Sequence, residues 1–140
     1  MDRRSLIGLG IAGATAGLLL PKTAHAHTAA QRVDSSSMAG GIFLTAKHPG
    51  RWEGKAGSHA PIVTKIDGGV RVFTKHPMSK EHWIVKHILL DAKFQFLDDK
   101  RFDPSKDSEA VSEYKLEHSG TIVALSVCNK HDTWVTVFEG

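Results

Sequence analysis

Apolar and polar residues alternate in short runs from residue 62 onward, and turn-forming residues separate the runs. Ile62 to Ile66 and Val70 to Thr74 flank Asp67-Gly68-Gly69, a pattern that predicts two strands joined by a tight hairpin. Trp83 to Leu90 reads as a longer apolar strand, whose alternation puts His87 on one face with Trp83, Val85 and Leu89. Lys93 to Leu97 places Phe94 and Phe96 on one face. Residues 98–109 are charged and carry Pro104, which predicts a loop. Ser112 to His118 reads as the next strand, with Ser119-Gly120 as a turn. Thr121 to Val127 alternates and delivers Cys128 at its end, and Trp134 to Phe138 closes the chain. About seven short strands with frequent turn signals and no helical period predict an all-β fold, an antiparallel β-sandwich.

The chain before these strands has a different character. Arg3-Arg4 precedes an apolar run from Leu6 to Leu20, and Ala24-His25-Ala26 follows as an Ala-x-Ala cleavage pattern. Residues 1–26 therefore read as an export signal. The paired arginines before Ser5-Leu6-Ile7 suggest twin-arginine export to the periplasm; the competing reading is an uncleaved N-terminal anchor. The run is short and glycine-rich for a membrane span of ~20 apolar residues, so no stable membrane anchor is expected after cleavage. Residues 27–47 are small and polar and read as a flexible lead-in, which leaves 48–140 as one domain. Removing the first 26 residues takes away Arg3, Arg4, Lys22 and Asp2, so the formal charge falls from +3 to +1. No Lys/Arg run resembles a phosphate-binding stripe, which argues against nucleic acid as a partner.

The candidate chemistry lies in three places. Cys128-Asn129-Lys130-His131 sets a thiol and an imidazole two residues apart on a turn, and Cys128 is the sole cysteine. No intramolecular disulfide is possible, so the thiol is free for a metal. Upstream stand His76-Pro77-Met78-Ser79-Lys80-Glu81-His82-Trp83-Ile84 and Ser58-His59-Ala60-Pro61. Together they offer four imidazoles and one thiolate. A structural zinc takes four ligands in a tetrahedron, so five donors of these types suit a redox iron better. Each residue also has a plainer reading. Cys128 is a small hydrophobe of a type often buried. His76-Pro77 fits an ordinary turn, Glu81 a surface charge, and Trp83 and Trp134 core or site-wall positions. His48, His87 and His118 read as surface or packing residues.

The second and third elements resemble those of the superoxide reductase family in its one-iron, neelaredoxin-like form, the desulfoferrodoxin iron-binding domain. That family carries His-Pro-x-x-x-Glu-His-x-Ile, matched here from His76 to Ile84, and Cys-Asn-x-His-Gly-x-Trp, matched by Cys128, Asn129, His131 and Trp134. Asp132 stands where the family has glycine. The resemblance runs from about Gly50 to Glu139. It implies an immunoglobulin-like sandwich and a mononuclear Fe(II)/Fe(III) centre with His59, His76, His82 and His131 as equatorial ligands and Cys128 as the axial thiolate. It also implies one-electron reduction of superoxide to hydrogen peroxide, an unidentified redox protein as electron donor, and a homo-oligomer. The first element departs from the pattern: Gly57 and Ser58 occupy the positions of a Glu-Lys pair that caps the ferric iron and draws in the anion. Trp52-Glu53-Gly54-Lys55 resembles the run leading into that pair, so Glu53 and Lys55 are the candidates to replace it.

On this reading a thiolate opposite the open position donates electron density to the iron, and backbone N–H groups of Asn129 and Lys130 moderate it by pointing at the sulfur. Lys55, Lys75, Lys80 and Lys130 are candidates for steering a small anion. Two other functions fit parts of the chain. Cleavage after Ala26 makes His27 an N-terminal amine and imidazole able to chelate Cu(II), as in a periplasmic copper carrier. The same iron site without the Glu-Lys pair also suits a non-catalytic electron-transfer module.

Overall fold

The computed structural model describes residues 26–117 and 120–140. The export-signal reading of residues 1–26 therefore lies outside the described residues apart from Ala26, and so do His118 and Ser119. Seven strands are present: β1 (Ile62–Ile66), β2 (Gly69–Thr74), β3 (Ile84–Leu90), β4 (Phe96–Arg101), β5 (Ala110–Lys115), β6 (Thr121–Cys128) and β7 (Thr133–Glu139). They form two antiparallel sheets, of order β1-β2-β5 and β4-β3-β6-β7. This is the β-sandwich predicted from the spacing of apolar runs and turns.

The β1–β2 hairpin pairs Ile66 with Gly69 across Asp67-Gly68. Gly68 holds φ +73°, and a Cβ on Gly69 would collide with the Tyr114 carbonyl, so both glycines are required where the sequence places them. Between the sheets, Val70 and Val72 of β2 and Tyr114 of β5 meet Leu89 of β3 and Ile122 and Ala124 of β6. A second apolar group, Ile84, Phe102, Ala110 and Cys128, fills the end of the sandwich where β6 delivers its cysteine.

Five expectations need correction. The stretch 27–47 is not a flexible lead-in. Ala29–Asp34 is a helix, α1, opened by a capping box in which the Thr28 hydroxyl accepts from the Gln31 N–H and the Gln31 side chain accepts from the Thr28 N–H. Its Ala29 and Val33 pack on Val123 and Val135, on the outer face of the four-stranded sheet. Leu44 then lies parallel to β7, with Leu44 N–H donating to the Thr133 carbonyl (2.9 Å) and Val135 N–H to the Leu44 carbonyl (2.8 Å). The lead-in thus covers an edge strand that would otherwise present unpaired backbone. Burial of that outer face is also why Ile122, Val123 and Ala124 are consecutive buried residues and not a simple alternation.

The fourth strand is shifted along the chain. Asp91 accepts from the Lys93 and Gln95 N–H groups (2.8 and 2.9 Å), which makes residues 91–95 a turn and puts Phe94 at φ 63°. Asp98 to Arg101 then belong to β4 and not to a loop, as a charged edge strand. The next strand, β5, runs Ala110–Lys115, starting two residues before the predicted Ser112. On β3 a register shift between Ile84 and Lys86 changes the inward set. Ile84, His87 and Leu89 are the fully buried positions, while Trp83 and Val85 are half-buried. Finally, two short helical elements precede β1, a 3-10 turn at Gly50–Trp52 and the single-turn helix α2 (Ala56–His59).

Candidate metal centre

Four loops and strand ends converge at one end of the sandwich. His59 is the last residue of α2, His76 follows β2, His82 precedes β3, and Cys128 ends β6 with His131 in the turn to β7. One donor atom from each of these five residues lies within 4.8 Å of every other. Along the ring of imidazoles, His76 Nε2 is 3.0 Å from His82 Nε2, and His82 Nε2 is 2.9 Å from His131 Nδ1. His131 Nδ1 is in turn 3.1 Å from His59 Nε2, and the His59 and His76 rings meet edge to face at 4.6 Å. Cys128 Sγ lies 3.3, 3.7 and 3.9 Å from the His82, His131 and His76 nitrogens.

These spacings bear on the metal. Nitrogens bound at right angles to one ion at ~2.1 Å lie about 3.0 Å apart, whereas tetrahedral bonds of that length separate them by about 3.4 Å. The observed 2.9–3.1 Å matches the right-angled arrangement. Proton placement points the same way. His59 Nδ1 donates to the Lys55 carbonyl (3.0 Å) and His76 Nδ1 to the Pro77 carbonyl (2.6 Å). A carbonyl only accepts, so each neutral ring carries its proton on Nδ1 and turns an Nε2 lone pair toward the cluster. The His82 and His131 nitrogens meet these lone pairs at 2.9–3.1 Å, where a single cation can take the place of the protons that the rings would otherwise share. The donor set therefore fits a single metal ion with octahedral preference, and fits a four-coordinate structural zinc poorly.

Electrostatics hold the imidazoles in the neutral form that metals bind. Burial, followed by the neighbouring His76, pushes His59 down to about 4. Burial likewise lowers His76. His82 is lowered by burial and then by the Lys130 and Lys55 ammonium groups. His131 is lowered by burial, then by His82, Lys55 and Lys130. Lys55 and Lys130 thus act on the cluster, while Lys75 and Lys80 are exposed flanking cations. Lys55 is half-buried and its carbonyl orients His59. Glu53 is exposed and lies outside the five-donor cluster.

The surrounding residues show one expectation corrected and one role missed. Lys130 N–H donates to Cys128 Sγ at 3.5 Å, but Asn129 N–H donates to the Trp83 carbonyl (3.2 Å) and not to the sulfur. The Asn129 side chain has a different task. Its Oδ1 accepts from Trp83 N–H (3.0 Å) and its Nδ2 donates to the Glu81 carbonyl (2.9 Å), so it bridges the two residues that flank His82. An asparagine beside the cysteine was the only sequence signal for this, and it did not say what the amide grips. Trp134 is fully buried, donates to the His131 carbonyl (2.8 Å) and lies 5.8 Å from the His59 ring. Of the other histidines, His48 and His27 are exposed and His87 is buried between the sheets, all apart from the cluster.

Comparison with known proteins places this arrangement. No curated protein sequence matches the chain. The neelaredoxin superoxide reductase of Ignicoccus hospitalis shares 24% identity, with a TM-score of 0.56 over 70% of this chain and 93% of that one. The one-iron superoxide reductase of Giardia intestinalis shares 20% identity, with a TM-score of 0.54 over 59% and 98%. These likenesses are of fold. The desulfoferrodoxin sequence profile matches residues 51–137, which is more than half of the chain and spans all five converging donors. The chain belongs to the desulfoferrodoxin family.

Proposed function

We propose that the protein is a superoxide reductase, exported to the periplasm, with His59, His76, His82, His131 and Cys128 holding a single iron. The observation that carries this reading is the convergence of four imidazole nitrogens at right-angled spacing with one thiol, on a chain of this family. Bound iron supplies the one-electron chemistry that converts superoxide, with two protons, to hydrogen peroxide.

The chain's own residues do the rest. The carbonyls of Lys55 and Pro77 fix the tautomers of His59 and His76 with Nε2 turned to the cluster. Lys130 N–H donates to Cys128 Sγ and tempers the sulfur's electron donation. Asn129 holds the His82 segment against the cysteine turn. Lys55 and Lys130 place positive charge beside His82 and His131, which attracts a small anion. Lys55 thereby takes over part of the role left open by Gly57 and Ser58, and Glu53, exposed on the same segment, is the candidate carboxylate for capping. The arginine pair and cleavage pattern before residue 27 support export.

The test is a visible spectrum of the purified protein with its iron content measured. One iron per chain is expected, with a sulfur-to-iron absorption band that reductant bleaches and superoxide restores in proportion. An iron site indifferent to superoxide would leave electron transfer as the better reading. Protein isolated with copper and no iron would favour the His27 reading.

A further inference from the structure

The turn from Cys128 to Asp132 is closed by Cys128 N–H donating to the Asp132 carbonyl (3.0 Å), and Asp132 adopts φ 66°. Glycine suits that left-handed conformation, and aspartate is among the few other residues that tolerate it. Aspartate adds a carboxylate at the turn. Here that carboxylate reaches some eighty residues back along the chain. Arg51 donates to it from two nitrogens, Nε to Oδ2 (3.1 Å) and Nη2 to Oδ1 (3.0 Å). Trp52 Nε1 also donates to Oδ2, at 2.7 Å.

What the carboxylate holds bears on two ligand residues. The Trp52 ring meets the His131 ring edge to face at 4.5 Å. The Trp52 carbonyl accepts from Lys55 N–H (3.1 Å), and the Lys55 carbonyl accepts from His59 Nδ1 (3.0 Å). An unbroken series of contacts thus runs from Asp132 through Trp52 and Lys55 to His59. From behind, the same segment is braced at Gly50, where φ is +55° and a Cβ would collide with the Gly40 carbonyl oxygen. The Arg51 side chain is 69% exposed, so the ion pair alone contributes little to stability. Its consequence is positional.

We propose that Asp132 is a positioning residue that clamps the Arg51–Lys55 segment against the ligand turn, setting the orientation of His131 directly and of His59 through Lys55. This rests on the reading of the cluster as an iron site. Because the clamp ties together segments far apart in sequence, it decides how rigidly the donors are presented before any metal binds.

The test is Asp132→Gly in the full chain, since glycine keeps the turn and removes only the carboxylate. Iron release to a chelator is expected to quicken about 10-fold or more. The ferric absorption band is expected to shift, and amide hydrogen exchange across residues 51–59 to accelerate in metal-free protein, with little change in Tm. Asp132→Asn keeps an acceptor for Trp52 and is expected to restore part of the release rate. Wild-type release, spectrum and exchange in the glycine variant would overturn the clamp, as would a lowered Tm with those readouts unmoved. If the wild-type chain holds no iron, the iron reading fails. Exchange in the metal-free protein still decides the clamp: faster exchange across 51–59 supports it and unchanged exchange overturns it.

Discussion

Imidazoles occupy two settings in this sandwich, a buried to half-buried cluster of four and one fully buried ring, and they are held there for opposite reasons. At the end of the sheets, His59, His76, His82 and His131 point nitrogens at one another within about 3 Å, with Cys128 beside them. Midway between the sheets, His87 is fully buried and has a hydroxyl on each nitrogen, Thr74 Oγ1 at 2.8 Å and Ser112 Oγ at 2.8 Å. Thr74 in turn donates to Ser126 Oγ at 2.9 Å. Both sets have lowered pKa values, and burial is the first cause in both. Lowered basicity therefore does not distinguish a ligand from a core residue. The distinction lies in the partners: His87 has a hydroxyl on each nitrogen, whereas the cluster turns its nitrogens and a thiol toward one common point.

Cys128→Ser is expected to have the largest effect on the cluster. It is expected to abolish the sulfur-to-iron band and to weaken iron retention by more than the ~10–100-fold typical of losing a group around a metal. Absorption and chelator competition measure this, and a surviving band would remove Cys128 from the site.

The converse variant is His87→Ala, which should leave one iron per folded chain but lower stability by roughly 2–5 kcal/mol, because buried hydroxyls lose their partner. Denaturant unfolding with an iron assay separates the two outcomes. The same residue predicts an acid response. Burial, then Lys100, pushes His87 down to about 3. Between pH ~6.5 and ~3 the unfolded chain binds the proton that the folded chain refuses, so stability is complete above this window and falls as pH falls. By pH 5 the loss from His87 is about 2 kcal/mol. His87→Gln should flatten that slope, and an unchanged slope would assign the acid sensitivity to the metal cluster.

Asn129→Ala sharpens the contrast more gently. Removing the bridge between Glu81 and Trp83 should speed iron loss about 10-fold with a stability cost near 1 kcal/mol. A large fall in Tm with normal iron retention would make Asn129 a purely structural residue. The smallest effect is expected from Lys130→Gln, a decrease of about 2–5-fold in the rate with superoxide that shrinks as salt is added. A salt-independent decrease would mean that the ammonium does not act by steering.

Much of this molecule was legible residue by residue. The hairpin at Asp67-Gly68-Gly69 follows from local backbone demands, and it occurs where predicted. Three short segments offered the five donors, the family resemblance implied them as one ligand set, and the structure brings all five together. What escaped was set by distant partners. The segment around α1 is polar and small, yet it packs because the outer face of β6 and β7 offers Val123 and Val135 to Val33. His87 shares its buried face with Leu89 as alternation predicts, but Ile84 takes the place expected of Trp83 and Val85, because a bulge beside Val85 shifts the pleat by one residue, which alternation alone cannot register.

The amino-acid sequence by itself determined the strand-and-turn alphabet, the family, and which side chains are able to bind a metal. These rest on local sterics, side-chain periodicity and residue chemistry, each contained in a few neighbouring residues. The tertiary structure alone decided which nitrogens face each other, that His87 is satisfied by hydroxyls, that Asn129 grips the His82 segment, and that Asp132 reaches Arg51 and Trp52. Those contacts join residues on different loops and sheets. They exist only after apolar burial has brought the two sheets and their covering segment together.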